Sequence, residues 1–479
     1  MTTMTMSLRK QIILETNDIQ AESKKDWRAR NAYFHDEDLR YLKFLIPEGL
    51  KVLDLGCGLG DVLAALKPSK GVGVDFSPQT LKLAQKHHPK LDFIQGDIED
   101  PKTISQIKGT FDIILLSDTI GYLDDCQQTL SQLKHLCHPN TRIIISYFGR
   151  VWDPVLKCAE WLGLKSPQVE HNYLTTGDIA NLLYISGFDV IKREWRQLMP
   201  KKLLGLGGLI NKYIGTLPGV RRFCVRNYII ARPEPEVLKK MPSATVVITC
   251  RNEKGNVENA VKRLPQFCED LEILFIEGHS KDGTLDEIHR VIKAYPKKNI
   301  TVYTQDGVGK GDAVRKAFDK AKGDILIIMD GDLTTPPEDM PKFYQALVQG
   351  RGEFINGTRL VYPLENQAMQ FLNFIANHGF SWIFSFLLNQ RFTDTLCGTK
   401  VLYKKHYQEI AANRHYFGDF DPFGDFDLIF GASKLNLKVT EIPVRYAARQ
   451  YGETQISRFT HGFLLIRMVL FAYRKLKAF

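Results

Sequence analysis

Acidic side chains at the ends of apolar strands could do chemistry at two places along this chain. In the first, Asp54 leads a glycine turn, Asp54-Leu55-Gly56-Cys57-Gly58-Leu59-Gly60, and Asp75 and Asp97 close the next two apolar runs. Glycine has no Cβ and tolerates positive φ, so such a turn lets the backbone approach a ligand closely. An acid about twenty residues further on can accept both hydroxyls of a ribose. In the second, Asp330-Gly331-Asp332 ends the run DILIIM. Two acids at i and i+2 of an extended segment share a face. Such a pair suits a hard divalent cation, Mg²⁺ or Mn²⁺, whose remaining ligands are phosphate oxygens. Alone, the glycine turn also reads as a tight strand-to-helix connection, and the acidic pair as a solvated turn.

The elements that must position these residues follow from the apolar pattern. Residues 8–46 are polar with helical spacing. KVLDLG, GVGVDF, LDFIQGD, FDIILLSD and TRIIISYF then read as strands separated by helix-length segments, which predicts βαβ units and a parallel sheet covered on both faces. Thr175–Val190 reads as a capped helix entering another strand, and a glycine-rich basic stretch, Lys201–Arg222, precedes NYIIAR. Pro233, Pro235 and Pro242 then punctuate a segment through which neither helix nor central strand could run. The rhythm restarts with TVVITC, LEILFIE, NITVYTQ and DILIIMD. We therefore expect an α/β protein of two unlike domains, 1–232 and 244–479, joined by a proline-rich linker at 233–243.

The front half resembles the class I S-adenosylmethionine-dependent methyltransferases, which have a Rossmann-like sheet. The resemblance implies that Gly56, Gly58 and Gly60 border the methionine moiety, Asp75 holds the ribose, and Asp97 with Ile98 reads the adenine, with Asp54 also cofactor-binding. It places Asp118, with Thr119 and Ile120, beside the transferring methyl. A nicotinamide-type site would carry GxGxxG spacing, which is missing. The methyl acceptor is unspecified, with Tyr122, His171 and Tyr173 as candidate bases.

The rear half resembles GT-A fold, family 2 glycosyltransferases, and among them the dolichyl- or polyprenyl-phosphate sugar transferases. The motifs behind this are ATVVITCRNEKGNVENAV, Glu277-Gly278-His279-Ser280, the loop Gly307–Ala313, the DGD and Asp394-Thr395-Leu396-Cys397-Gly398-Thr399-Lys400. The resemblance implies a nucleotide-sugar donor held by Thr249, Arg251, Glu253, Glu277, Asp282 and Lys310, with Asp330 and Asp332 as ligands of metal and diphosphate. Arg359, Lys400, Arg449 and Arg458 would hold phosphates of donor or acceptor. Asp425 and Asp427 would be the acceptor-side acids, catalytic together with Asp332. The acceptor would be a polyprenyl phosphate or a glycan. The usual VDDGS is IEGHS here, and a lysine stands at 400 where arginine is commoner. Lysine keeps the charge and loses the bidentate fork.

Net charge is +10 over 479 residues, without a helix-turn-helix, RNP or zinc pattern, so no nucleic-acid partner is expected. The eight cysteines show no metal or disulfide spacing, and MTTMTMSLRKQ has no apolar signal region, which points to a cytoplasmic location. Phe371–Leu388 is interrupted by Asn373, Asn377 and His378, a poor membrane span. Together with Phe463–Tyr473, which is followed by Arg474, Lys475 and Lys477 with no acid after Glu453, it reads either as mutual core packing or as an interfacial surface for anionic lipid on the inner face of a membrane. Lys201–Arg222 is a weaker candidate for that surface. The expectation is a bifunctional transferase. Two alternatives are an active glycosyltransferase with a cofactor-sensing front domain, and a non-catalytic membrane adaptor.

Overall fold

The expected strands form, and among the described residues they sort into two mixed sheets of seven. The computed structural model describes residues 6–164, 171–172, 174–235, 238, 240–363, 371–416, 426–452 and 458–478. Two compact units divide between Glu234 and Pro235.

In the first unit the strands are β1 (Lys51–Leu55), β2 (Lys70–Asp75), β3 (Asp92–Gln95), β4 (Phe111–Ser117), β5 (Cys137–Phe148), β6 (Phe188–Arg196) and β7 (Arg226–Pro233). Their order is β3-β2-β1-β4-β5-β7-β6. β1 to β5 pair in parallel as the βαβ rhythm requires. The sheet is not parallel throughout, because β7 runs antiparallel to both β5 and β6. Val52, Leu53, Ile114 and Leu115 are fully buried, so both faces of the central strands are covered and the sequence runs apolar instead of alternating. The polar segment before β1 folds as three helices, Leu8–Gln20, Lys24–Arg30 and Ala32–Leu45. Ser7 caps the first by accepting from the Lys10 N–H.

In the second unit the strands are β8 (Ala244–Cys250), β9 (Leu271–Glu277), β10 (Asn299–Thr304), β11 (Ile325–Asp330), β12 (Phe354–Thr358), β13 (Lys400–Tyr403) and β14 (Val439–Pro443). Their order is β10-β9-β8-β11-β13-β12-β14, with β13 antiparallel to both its neighbours. In each unit the chain leaves the first strand toward one edge and returns on its other side, β4 beside β1 and β11 beside β8. That reversal opens a crevice at the carboxyl ends of the strands, where open sheets of this kind bind ligands. All the acids singled out above at strand ends sit at this edge.

The helices Phe371–Leu388 and Arg458–Leu476 pack on one another. In the first, Asn377, Ser381, Phe384 and Leu387 are buried while Trp382 is exposed. In the second, Leu465, Met468 and Ala472 are buried, and Phe463, Ile466 and Leu470 form an exposed stripe. The mutual packing expected of these segments is therefore present, and each also keeps an exposed apolar face. Among the described residues no helix is long and apolar enough to cross a membrane.

Candidate active sites

The glycine turn after β1 is built on backbone that side chains resist. Gly56, Gly58 and Gly60 all have positive φ. A Cβ on Gly56 would lie 2.3 Å from the Thr119 hydroxyl, and one on Gly60 would strike the Phe93 ring. The turn borders a cavity of about 230 Å³ at the ends of β1, β2 and β4. Gly56, Gly58, Asp75, Asp97, Ile98 and Asp118 line it, and Asp54 and Gly60 do not. Asp75 accepts from the Gly58 N–H at 2.9 Å and the Ser77 N–H at 3.0 Å. Burial raises its carboxyl above the usual range.

Asp54 is 2% exposed, and its Oδ1 has no hydrogen-bond partner. Burial first, and the charge of Asp75 second, push it up to about 7. A buried acceptor without a donor is costly, and protonation of the carboxyl relieves part of that cost. The cavity and the acids that line it, Asp75, Asp97 and Asp118, fit S-adenosylmethionine.

Sequence reasoning missed the roof of this cavity. Lys10, Ile13, Asn17 and Lys24 reach it from the first two helices. Lys10 is paired with Asp97 and with Glu99, so Asp97 is already engaged on one oxygen. The reading also missed Arg226. From β7, its guanidinium donates to Asp38, Asp118 and the Ser146 hydroxyl while fully buried. It thereby moors Asp118, whose own φ of 57° lies in the left-handed region. Phe148 faces the same guanidinium at 5.0 Å. Nothing local in the sequence links residues 38, 118 and 226.

A smaller pocket shares Asp118 and Tyr122 with this cavity and is otherwise lined by Tyr147, Phe148, Arg150, Asp153, His171 and Asn172. His171 approaches Asp153 at 3.9 Å. Tyr173 lies outside the described residues.

The second site gathers around β11. Asp330 ends that strand in register with Thr249 of β8, and Glu277 ends β9. Lys310, first residue of the helix Lys310–Lys320, donates to Asp330 at 2.6 Å. Burial would raise Asp330, but Lys310, with Lys400 and Arg359 behind it, holds the carboxyl below its ordinary range. Asp332 shifts the opposite way, raised by burial and by the charge of Asp330. Thr334 donates to it from backbone and side chain, and Arg449 donates to it at 2.6 Å. The same guanidinium reaches Glu253 at 2.9 Å, so a residue 117 positions away in sequence ties the acidic pair to the loop after β8.

Asp282 accepts from the Lys254 N–H and from Thr284, and Tyr451 donates to it at 3.3 Å. Glu277 accepts from the Ser280 N–H at 2.5 Å across the IEGHS turn. His279 takes the positive φ of that turn. Arg251 is exposed at the rim.

Gly398, within the stretch Asp394–Lys400, is a site residue. Its missing side chain is what admits Asp330: a Cβ there would lie 2.0 Å from Asp330 Oδ2 and 2.5 Å from Lys310 Nζ. Arg359 and Lys400, expected at phosphates, are instead engaged within the protein. Arg359 forms a bidentate pair with fully buried Asp394, at 2.6 and 2.9 Å. Lys400, also fully buried, donates to the Cys397 carbonyl. Asp427 is paired with Arg414 at 3.5 Å. Asp425 lies outside the described residues, as does the side chain of Arg458 at the start of the last helix.

Two carboxylates of hard oxygen donors, one held open by Gly398, fit Mg²⁺ or Mn²⁺ that completes its shell with a diphosphate. Among the described residues no group of three or more His, Cys, Asp or Glu is placed to hold a metal ion by itself.

Comparison with known proteins agrees with this division of chemistry. A family model described as a methyltransferase domain matches residues 46–197, and one for glycosyl transferase family 2 matches residues 245–409. The chain is a fusion of a methyltransferase domain and a family 2 glycosyl transferase domain. A dolichol-phosphate mannosyltransferase of Saccharomyces cerevisiae is 32% identical over 108 residues, 22% of this chain and 40% of the yeast protein. An undecaprenyl-phosphate 4-deoxy-4-formamido-L-arabinose transferase of Erwinia tasmaniensis is 23% identical over 223 residues, 46% of this chain and 64% of its own. The chain thus spans less than two thirds of the length of either relative. A solved S-adenosylmethionine-dependent methyltransferase from Thermotoga maritima, described as a possible histamine N-methyltransferase, aligns with 46% of this chain and 99% of its own at 17% identity and a TM-score of 0.37.

Proposed function

We propose that the protein is a bifunctional transferase. Its rear domain moves a sugar, with inversion, from a nucleotide-sugar to a polyprenyl phosphate or related cell-envelope glycan. Its front domain methylates a related sugar or lipid intermediate from S-adenosylmethionine. The observation that carries the first half is the pair Asp330 and Asp332, half-buried at the switch point of the sheet between Lys310 and Arg449. Relatives named for transfer to dolichol phosphate and undecaprenyl phosphate support the acceptor class.

Asp330 and Asp332 would hold Mg²⁺ or Mn²⁺, which supplies positive charge to the leaving diphosphate. Lys310 adds a second positive charge from the opening turn of its helix, and Arg449 is placed to exchange its carboxylate partners for phosphate oxygens. Glu277, Asp282, Thr249 and Arg251 frame the nucleoside. A phosphate acceptor is already largely anionic, since its second pKa is about 6, and needs no base. Asp427 then serves to orient the acceptor, as part of the acidic pair with Asp425. A glycan hydroxyl acceptor would require one of these acids as general base. The exposed stripe Phe463, Ile466 and Leu470, with Arg467 and Arg474 beside it, suits a peripheral position on the inner face of an anionic membrane, where a polyprenyl phosphate arrives.

In the front domain the pocket around Tyr122, Arg150, Asp153 and His171 adjoins the methyl position and would receive the acceptor.

Mass spectrometry of polyprenyl-phosphate products, after incubation with a panel of nucleotide-sugars, tests the proposal. A glycosylated polyprenyl-phosphate product that disappears in Asp332→Asn is expected. Binding of neither S-adenosylmethionine nor any nucleoside diphosphate would sink it.

A further inference from the structure

Between Glu194 and Glu234 the chain has no acidic residue and eight lysines and arginines. In the structure this stretch leaves the methyltransferase sheet after β6 and returns as β7. On the way it builds a ridge of apolar side chains that nothing within its unit covers. Leu203, Leu206, Leu209, Ile214 and Phe223 are 47–60% exposed, and Leu204 is fully exposed.

The ridge is held in place. Asn211 is buried and exchanges hydrogen bonds with the Met199 backbone, at 2.7 and 2.8 Å, and donates to the Tyr33 hydroxyl at 3.0 Å. Trp152 donates to the Phe223 carbonyl at 2.6 Å. Gly207 is packed so tightly that a Cβ there would meet the Lys201 carbonyl at 2.0 Å. This turn throws Leu203 and Leu204 outward, and both sit at positive φ. For leucine that backbone is unfavourable. An anchored loop that strains its leucines in order to expose them gains nothing from folding alone. The exposed leucines are accompanied by exposed Lys201, Lys202 and Arg222, with no carboxylate in the stretch.

We propose that this ridge is a membrane-docking surface of the methyltransferase unit. Its leucines enter the acyl boundary of a bilayer, and its cations meet anionic lipid head groups. The arrangement is that of an interfacial anchor: apolar tips beside a basic, acid-free rim. It rests on neither the catalytic assignments above nor the C-terminal helices.

The test is flotation of the full-length protein with liposomes of phosphatidylcholine containing about one third phosphatidylglycerol, a content chosen for strong surface charge. Leu204→Glu combined with Leu209→Glu should lower partitioning by roughly a hundredfold, since each leucine carried into lipid contributes about tenfold or more. Lys201→Glu, Lys202→Glu and Arg222→Glu together should lower it to a similar degree, at about fivefold per cation removed. All five positions are exposed, so an unchanged melting temperature and unchanged S-adenosylmethionine affinity are expected. A companion Phe463→Glu, Ile466→Glu protein should keep ridge-dependent binding. Partitioning that ignores the Leu204 and Leu209 changes, or that is equal on pure phosphatidylcholine, overturns the proposal. So does light scattering showing a dimer that the same leucine changes dissociate.

Discussion

Replacing Arg226 with methionine is the sharpest test of how the methyltransferase site is held. The guanidinium is fully buried and is shared by Asp38 and Asp118, with Ser146 as a third partner. Methionine has a similar length and no charge, so it fills most of the space and leaves Asp38, itself 6% exposed, without its cation. Removing one partner of a buried pair costs roughly 3–5 kcal/mol, because the other charge stays behind. For a domain of this size, each kcal/mol moves the midpoint by about 2–4 °C. The methyltransferase transition in calorimetry should therefore fall by roughly 6–20 °C. That transition is identified by its upward shift with S-adenosylmethionine, about 2.7 kcal/mol at a hundredfold excess over Kd. Arg226→Lys keeps the charge and loses the fork, so it should fall by less. The discriminating protein is Arg226→Met with Asp38→Asn. It removes the stranded charge and should recover at least half of the loss, since an uncharged amide can still accept from the Tyr228 hydroxyl. A drop below about 2 °C in the single variant, or no recovery in the double one, would refute the argument that stranded charge sets the cost.

Asp54 predicts a pH dependence. Its carboxyl lies at about 7 in the folded protein, above its ordinary value, so its stabilising contribution is complete below about 4 and lost as pH rises through 7. Without ligand, the methyltransferase transition should weaken by roughly 2–3 kcal/mol between pH 5 and 7, and Asp54→Asn should flatten that slope in urea titrations. Gly398→Ala should abolish sugar transfer while the circular dichroism spectrum is unchanged, because its Cβ would occupy the space of Asp330 Oδ2. Arg449→Ala should free Asp332 and Glu253, raising donor-free Mn²⁺ affinity by about tenfold, the worth of one charge-assisted hydrogen bond. The same change should lower the rate of transfer.

Much of this was legible before any coordinates. Buried parallel strands are apolar runs of about six residues, and the turns that follow them must be glycine, serine or acid to meet a ligand. Hence β1, β2, β4, β8, β9 and β11 and the acids at their ends could be read directly. The antiparallel strands β7 and β13 could not be oriented that way. An apolar run does not record its direction, which depends on which neighbour it meets.

Which carboxylates stand at the crevices follows from local periodicity and from the backbone freedom of Gly56, Gly58 and Gly60. Tertiary structure alone decided what neutralises them. Arg226 comes to Asp118 from 108 residues away, Arg449 to Asp332 from 117, and Lys10 to Asp97 from 87. It also turned Arg359 and Lys400 inward, onto Asp394 and a backbone carbonyl. A buried charge must find a partner of opposite sign. Which partner it finds is set by packing between distant strands, and no short-range spacing along the chain encodes it.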